Sequence, residues 1–293
     1  MSTILPPNGS IHGVSVYIDY ATVLDFSILQ AFIPLIYITP TTGIMITILV
    51  MYRNAKKNDN AASMNDNIFT LIMIYFLFNS LFFIGEYFHL NLPSSGLITS
   101  FCASVPPNRW FGILIIYSYA TNYVTITCPL LVSIVRLTII ASPHHCRHYP
   151  DLVMRWFVMP FLFLAPVVLT FSNFHVFSYC MQLGPPFDFG SIMIYGGDEY
   201  YSTNRIIHLS FSCFILTSTS IISMVMIFQL RMTVPSNTSA RTKELKRKIE
   251  SSLSLTMLSG LVPFITNSIV SVSQNALVMV INQIVIGDIP MVS

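Results

Sequence analysis

Apolar residues run along this chain in long blocks, separated by short polar stretches. The longest block is Trp110 to Ala141, WFGILIIYSYATNYVTITCPLLVSIVRLTIIA, 32 residues with a single full charge, Arg136. A helix of that length would reach roughly 48 Å, well past the ~30 Å hydrocarbon core of a bilayer. It must tilt or project beyond one face. Arg136 sits five residues from the end of the block. An arginine at the bilayer centre costs about 2.5–3.5 kcal/mol, whereas near a helix end it can reach the interface. The pattern therefore puts Arg136 at or near a membrane face. Five further blocks predict spans at about 28–52, 68–90, 156–176, 206–230 and 253–272. A shorter apolar piece occupies 276–293; it includes Asn282, Gln283, Asp288 and Pro290 and falls short of the ~20 mostly apolar residues a span needs. The expected fold is an all-α membrane bundle with six full spans and a short, partial seventh. Pro34 and Pro40 in the first span and Pro263 in the sixth predict kinks, and the fourth contains Pro160 and Pro166.

Composition sharpens this reading. The chain is 54% hydrophobic and 9% charged, against about 25% charged in soluble domains, so most of its 293 residues must lie in lipid. A net charge of +2 gives no reason to expect nucleic acid. Residues 1–27 form a segment outside the bundle; they lack Lys and Arg, which argues against a cleaved signal peptide with a basic start and leaves the first span as its own insertion signal.

The basic residues set the orientation. Twelve of the fourteen, Arg136 included, follow spans one, three and five or close span three, and only Arg109 and Arg205 fall on the other side. Cytoplasmic loops carry the basic excess, so the N-terminus is expected outside and Arg231 to Glu250 inside. This puts the glycosylation sequon at Asn8 outside, where it can be used, and the sequon at Asn237 inside, where it cannot. Cys102 and Cys180 become the only cysteines in outside loops. An oxidising exterior permits a disulfide that would pin the second outer loop to the head of span three; two free thiols is the plainer alternative. Cys128 and Cys213 read as packing residues.

Candidate chemistry is sparse. His144, His145, Cys146 and His148 have zinc-ligand side chains, but their spacing fits no standard site, and a basic loop against anionic headgroups suits them better. No nucleophile, base and orienting group can be assembled, so no catalytic residue, metal or cofactor is expected. Glu86 is the one acidic residue inside a confident span. Intramembrane carboxylates face the bundle interior or water, so Glu86 and His89 are expected either to line an outward-facing ligand cavity or, for Glu86, to snorkel to the outer interface. Tyr117, Tyr119, Asn122 and His208 lie in the outer halves of spans three and five, where they could share that cavity or simply pack between helices. On the inner side, Arg136 is either a snorkelling span terminus or the pivot of a switch. Lys246, Arg247 and Lys248 in RTKELKRKIE are either a topogenic helix start or a docking surface for a cytosolic partner.

Four stretches carry a resemblance: SIHGVSVYIDY before the first span, FIPLIYITPTTGIMITIL within it, SIVRLTIIASP closing the third and SLSLTMLSGLVPFITNSIV in the sixth. Together they resemble a nematode serpentine chemoreceptor of class U, within the Srg-type superfamily. The resemblance implies a heptahelical receptor in the plasma or ciliary membrane that binds a small extracellular ligand and signals through a heterotrimeric G protein. It supplies no catalytic residues. The chain departs from related receptor patterns at Val135, which stands where class A receptors carry an acidic partner for the arginine, and at its shortened seventh span. The rival reading is a small-solute transporter, which would need ionisable groups or broken helices around a midplane site, or two related halves. Only Glu86 approaches the first requirement, and no internal repeat is evident.

Overall fold

A computed structural model describes residues 9–22, 26–57, 65–141, 148–184 and 187–233. The sixth and seventh spans, Pro263, Asn8, Asn237, Lys246, Arg247, Lys248, Asp288 and the His144 to Cys146 cluster lie outside the described residues. The chain divides into two compact units, Met1–Ile207 and His208–Ser293.

In the first unit, a short helix α1 (Ser15–Ile18) leads to α2 (Phe26–Lys57) and α3 (Asp66–Glu86). The α3 start is capped by Asn65, whose side-chain oxygen accepts from the Asn67 amide at 2.9 Å, with Asp66 in the positive first turn. A π turn (Tyr87–Asn91) and α4 (Leu92–Ser94) extend the same span. Then come α5 (Thr99–Ser104) and the long α6 (Arg109–Ala141). The fourth span is composite: α7 (His148–Val153), a π turn (Met154–Val158), α8 (Met159–Thr170) and a 3₁₀ turn (Phe171–His175). Two antiparallel strands, β1 (Tyr179–Gln182) and β2 (Ile192–Tyr195), pair Tyr179 with Tyr195 and Gln182 with Ile192. Helix α9 (Asp198–Thr233) starts in the first unit and continues into the second, whose described residues, 208–233, are all helical.

Among the described residues, four helical stretches are long and apolar enough to cross a membrane: Asp66–Ser94, Arg109–Ala141, Tyr149–Thr170 and Tyr200–Gln229. Helix α2, at 32 residues, is also longer than a bilayer core requires.

The core follows from helix periodicity. Val124, Cys128, Leu131 and Val135 recur at three- and four-residue steps and form one buried face of α6. That face packs on Leu71 of α3 and on Met154, Val158 and Leu162 of the fourth span. Hydroxyls on these helices find acceptors one turn back, as when Thr127 donates to the Tyr123 carbonyl at 2.6 Å and Thr170 to that of Pro166 at 2.8 Å. In a medium without water, this is how such side chains stay satisfied.

The two ends of the unit differ. At one end, residues 9–22, α5 and the hairpin fold together over α6. Ile11 donates its amide to the Cys180 carbonyl at 3.1 Å, and Gly13 donates to Ala103 at 3.0 Å. Ile11, Cys102, Ala103, Ile115, Cys180, Ile192 and Ile194 form a second apolar core there. Gly190 closes the hairpin with φ +93°, a left-handed conformation that favours glycine. Its amide donates to the Gln182 side chain at 3.1 Å and its carbonyl accepts from the Thr99 hydroxyl. At the opposite end, Tyr52 stacks on Phe69 with centroids 3.6 Å apart and donates its hydroxyl to Asp66, while Asn67 donates to Asp151 at 2.6 Å. These contacts tie α2, α3 and α7 together.

Three helices extend beyond the apolar blocks that predicted them. The second span runs past its expected end at 90 and bends through the π turn into α4. The fourth starts at His148 rather than near 156, because Pro150 and Asp151 suit a helical first turn despite their polar surroundings. The helix of the fifth starts at Asp198, ahead of the apolar block expected from 206. The expected loop between spans four and five contains the hairpin.

Candidate ligand-binding site

The site lies beneath the hairpin, where α3, α6 and the start of α9 supply polar groups. Gly85 makes it possible. A Cβ there would meet the Tyr117 ring at 3.0 Å and the Ser118 Cα at 3.3 Å, so any side chain would press on α6 where glycine leaves room for this close approach. One residue later, Glu86 turns its carboxylate toward α6 and accepts the Ser118 hydroxyl at 3.2 Å. The carboxylate is thus engaged between α3 and α6.

The π turn after Glu86 shifts the phase of the following residues and carries His89 to the hairpin. His89 is buried, and its Nε2 lies 3.2 Å from the Ile194 carbonyl oxygen. A carbonyl can only accept, so this nitrogen carries the proton. Pro93 follows two residues after the π turn, and Pro160 stands in the same relation to the π turn of the fourth span. A proline lacks an N–H and crowds the carbonyl four residues back, and a widened turn relieves both conflicts. Proline alone does not decide it, since Pro129 and Pro166 sit within regular helix.

On α6, Tyr119 and Tyr123 are one turn apart with ring centroids separated by 6.5 Å. Tyr123 is fully buried at 0% exposure. The start of α9 brings Tyr200 and Asn204 to them. The Asn204 carboxamide, 1% exposed, lies beside the Tyr119 hydroxyl, and the phenols of Tyr119, Tyr123 and Tyr200 are within electrostatic reach of one another. Glu86 is within the same reach of Tyr119.

Of the residues singled out in sequence, Glu86, His89 and Tyr119 gather around this region. Tyr117 packs its ring on Gly85, and Asn122 is half-buried one helical turn beyond Ser118. His208 belongs to the second unit and is half-buried on α9. Cys102 and Cys180, with Cα atoms 5.9 Å apart, are joined in a disulfide inside the hairpin-end core. Arg136 is half-buried in the last two turns of α6, next to the fully buried Val135. Sequence reasoning missed Ser118, Tyr123, Tyr200 and Asn204. The first two carry no signal apart from their place on α6, and the last two fell in an expected loop. Among the described residues, no three His, Cys, Asp or Glu side chains gather as a metal site would require.

The family model for the serpentine type 7TM GPCR chemoreceptor Sru matches residues 11–288. The chain belongs to this family. The receptor is 33% identical over 275 residues to serpentine receptor class U-26 of Caenorhabditis elegans, covering 91% of this chain and 93% of that protein. A seven-helix, multi-pass chemoreceptor of the G-protein-coupled type therefore accounts for its long apolar helices, and the family is one of receptors rather than enzymes. A transporter is not favoured by either match.

Proposed function

We propose that this receptor detects a small extracellular molecule beneath its hairpin and passes the signal to a heterotrimeric G protein at the opposite membrane face. The observation that carries this reading is the family match over nearly the whole chain, residues 11–288. We place the receptor in the Srg-type superfamily, in a plasma or ciliary membrane, with residues 1–27 and the hairpin outside. The split of basic residues supports that orientation, and so does the disulfide at the hairpin end, since an oxidising exterior maintains such a bond. Asn8 is then available for glycosylation. Glu86, His89, Tyr117, Tyr119, Asn122 and His208 are the ligand-facing candidates, and Arg136, Lys246, Arg247 and Lys248 the signalling ones. Buried polar and ionisable groups within a span support a ligand role for the first of these. The test is a small-molecule screen in cells carrying a calcium or cyclic-nucleotide reporter. At least one compound should give a response that needs both the receptor and a co-expressed G protein. Solute uptake by receptor-containing vesicles, with no such response, would overturn the reading.

A further inference from the structure

Glu86 presents an unusual balance. It is an acidic group in a membrane span, and among the described residues no cationic side chain pairs with it. The two basic residues of the hairpin half are engaged elsewhere: the Arg109 guanidinium lies over the Phe177 ring at 5.0 Å, and that of Arg205 over the Tyr201 ring at 4.9 Å. His89 directs its proton-bearing nitrogen to the Ile194 carbonyl. The Ser118 hydroxyl supplies one neutral hydrogen bond to one carboxylate oxygen, which leaves the charge without a counter-ion among the described residues.

The surroundings suit a particular kind of guest. Tyr119, Tyr123 and Tyr200 bring three phenols together within reach of each other, and Tyr119 within reach of Glu86. The hydroxyl of Tyr200 is buried with no hydrogen-bond partner among the described residues. Buried polar atoms are nearly always paired, so such a group marks a place for water or a ligand. Aromatic faces attract an organic cation, and a carboxylate attracts it more strongly through charge-assisted hydrogen bonds. One carboxylate does not provide the set of hard or imidazole ligands that a metal ion requires.

We propose that Glu86, with Tyr119 near it and Tyr123 and Tyr200 clustered about Tyr119, is the counter-ion of a small protonated amine, with an N–H of the amine donating to the carboxylate and the phenol rings covering the cation. This deepens the receptor reading above and rests on it for the site's role as a sensor, though not for binding itself.

The experiment uses the full-length receptor purified in detergent. Its thermal unfolding is followed with a panel of alkyl- and arylalkylamines, each matched to the alcohol of the same shape, phenethylamine with 2-phenylethanol among them. At least one amine should raise the unfolding temperature saturably while its alcohol does not. Glu86→Gln, which preserves an acceptor for Ser118, should weaken that amine by about tenfold or more, the factor expected for loss of a charged hydrogen bond. Tyr119→Leu should weaken it by a few-fold at least, as loss of a ring face against a cation predicts. Three results would overturn the proposal: alcohols that stabilise as well as their amines, no stabilising amine in the panel, or undiminished amine binding in Glu86→Gln. The reporter assay separates the two readings. Amine binding without any G-protein response would remove the receptor role and keep the site. A response to a non-amine that survives Glu86→Gln would do the reverse.

Discussion

At the scale of single residues, Gly85 decides more than its size suggests. It sets the separation of α3 and α6, and with it the contact between Glu86 and Ser118. One of the atoms a Cβ would crowd is the backbone Cα of Ser118, which cannot rotate away. Gly85→Val should therefore cost about 1–3 kcal/mol, the usual penalty for overpacking a tight contact, and lower the unfolding temperature of the purified receptor. A Tyr117→Ala change in the same background should recover only part of the loss, since it frees the ring contact and not the backbone one. An unchanged melting profile for Gly85→Val would mean that the two helices are not held this closely. His89 belongs at this scale too. Its place in sequence, one turn beyond Glu86, suggests a partner lining the same cavity, and its ring is buried with one nitrogen bonded to the Ile194 carbonyl of the hairpin.

At the scale of elements, the long apolar blocks located the described spans because exclusion from water dominates their energetics, and the 3.6-residue repeat located the buried face of α6. Sequence was least informative where a few residues balance several weak terms. The π turns depend on how a helix resolves the conflict at Pro93 and Pro160, and other prolines, Pro129 and Pro166 among them, resolve it differently. The hairpin strands have four residues each, too short for alternation to stand out, and their pairing is fixed by partners distant in sequence such as Ile11 and Thr99. The polar starts of α7 and α9 looked like loop because a charged first turn and a loop have the same composition. It is at this scale that the disulfide acts. Its cysteines are 78 residues apart, and it anchors the hairpin to α5 within the second apolar core. Cross-linking over such a separation stabilises a fold by about 2–4 kcal/mol. Peptide mapping without reduction should recover Cys102 and Cys180 linked, and Cys102→Ser should lower both the unfolding temperature and the amount of receptor at the cell surface. Recovery of both residues as alkylatable thiols would contradict it.

At the scale of the whole molecule, the asymmetry between the two ends of the first unit supports the proposed orientation. The hairpin end of the first unit holds the disulfide, the apolar cap and the phenol cluster, and the opposite end holds Arg53, Arg155 and the polar ties from Tyr52 to Asp66 and from Asn67 to Asp151. Charge bias then predicts which end is inside. An epitope inserted in Arg231 to Glu250 should be labelled only after permeabilisation, and one ahead of residue 9 should be labelled on intact cells. Labelling of the loop on intact cells would invert the assignment. Arg136 gives the sharper test, because it lies on α6 a helix length from the site residues on the same element: seventeen positions separate it from Tyr119, about 25 Å of rise. No acidic residue precedes it, Val135 being buried in the core instead, so a lock between adjacent side chains cannot be its role. If Arg136 contacts the G protein once the helices move, Arg136→Ala should reduce the maximal response severalfold while surface expression and the concentration dependence of ligand binding stay as they were. If it only anchors the helix at the interface, Arg136→Lys should behave like the native receptor, because a lysine snorkels as well but cannot reproduce the planar fork of a guanidinium. A full response from Arg136→Ala at normal surface density would remove this residue from the signalling surface and leave that role to the basic run ahead of the sixth span.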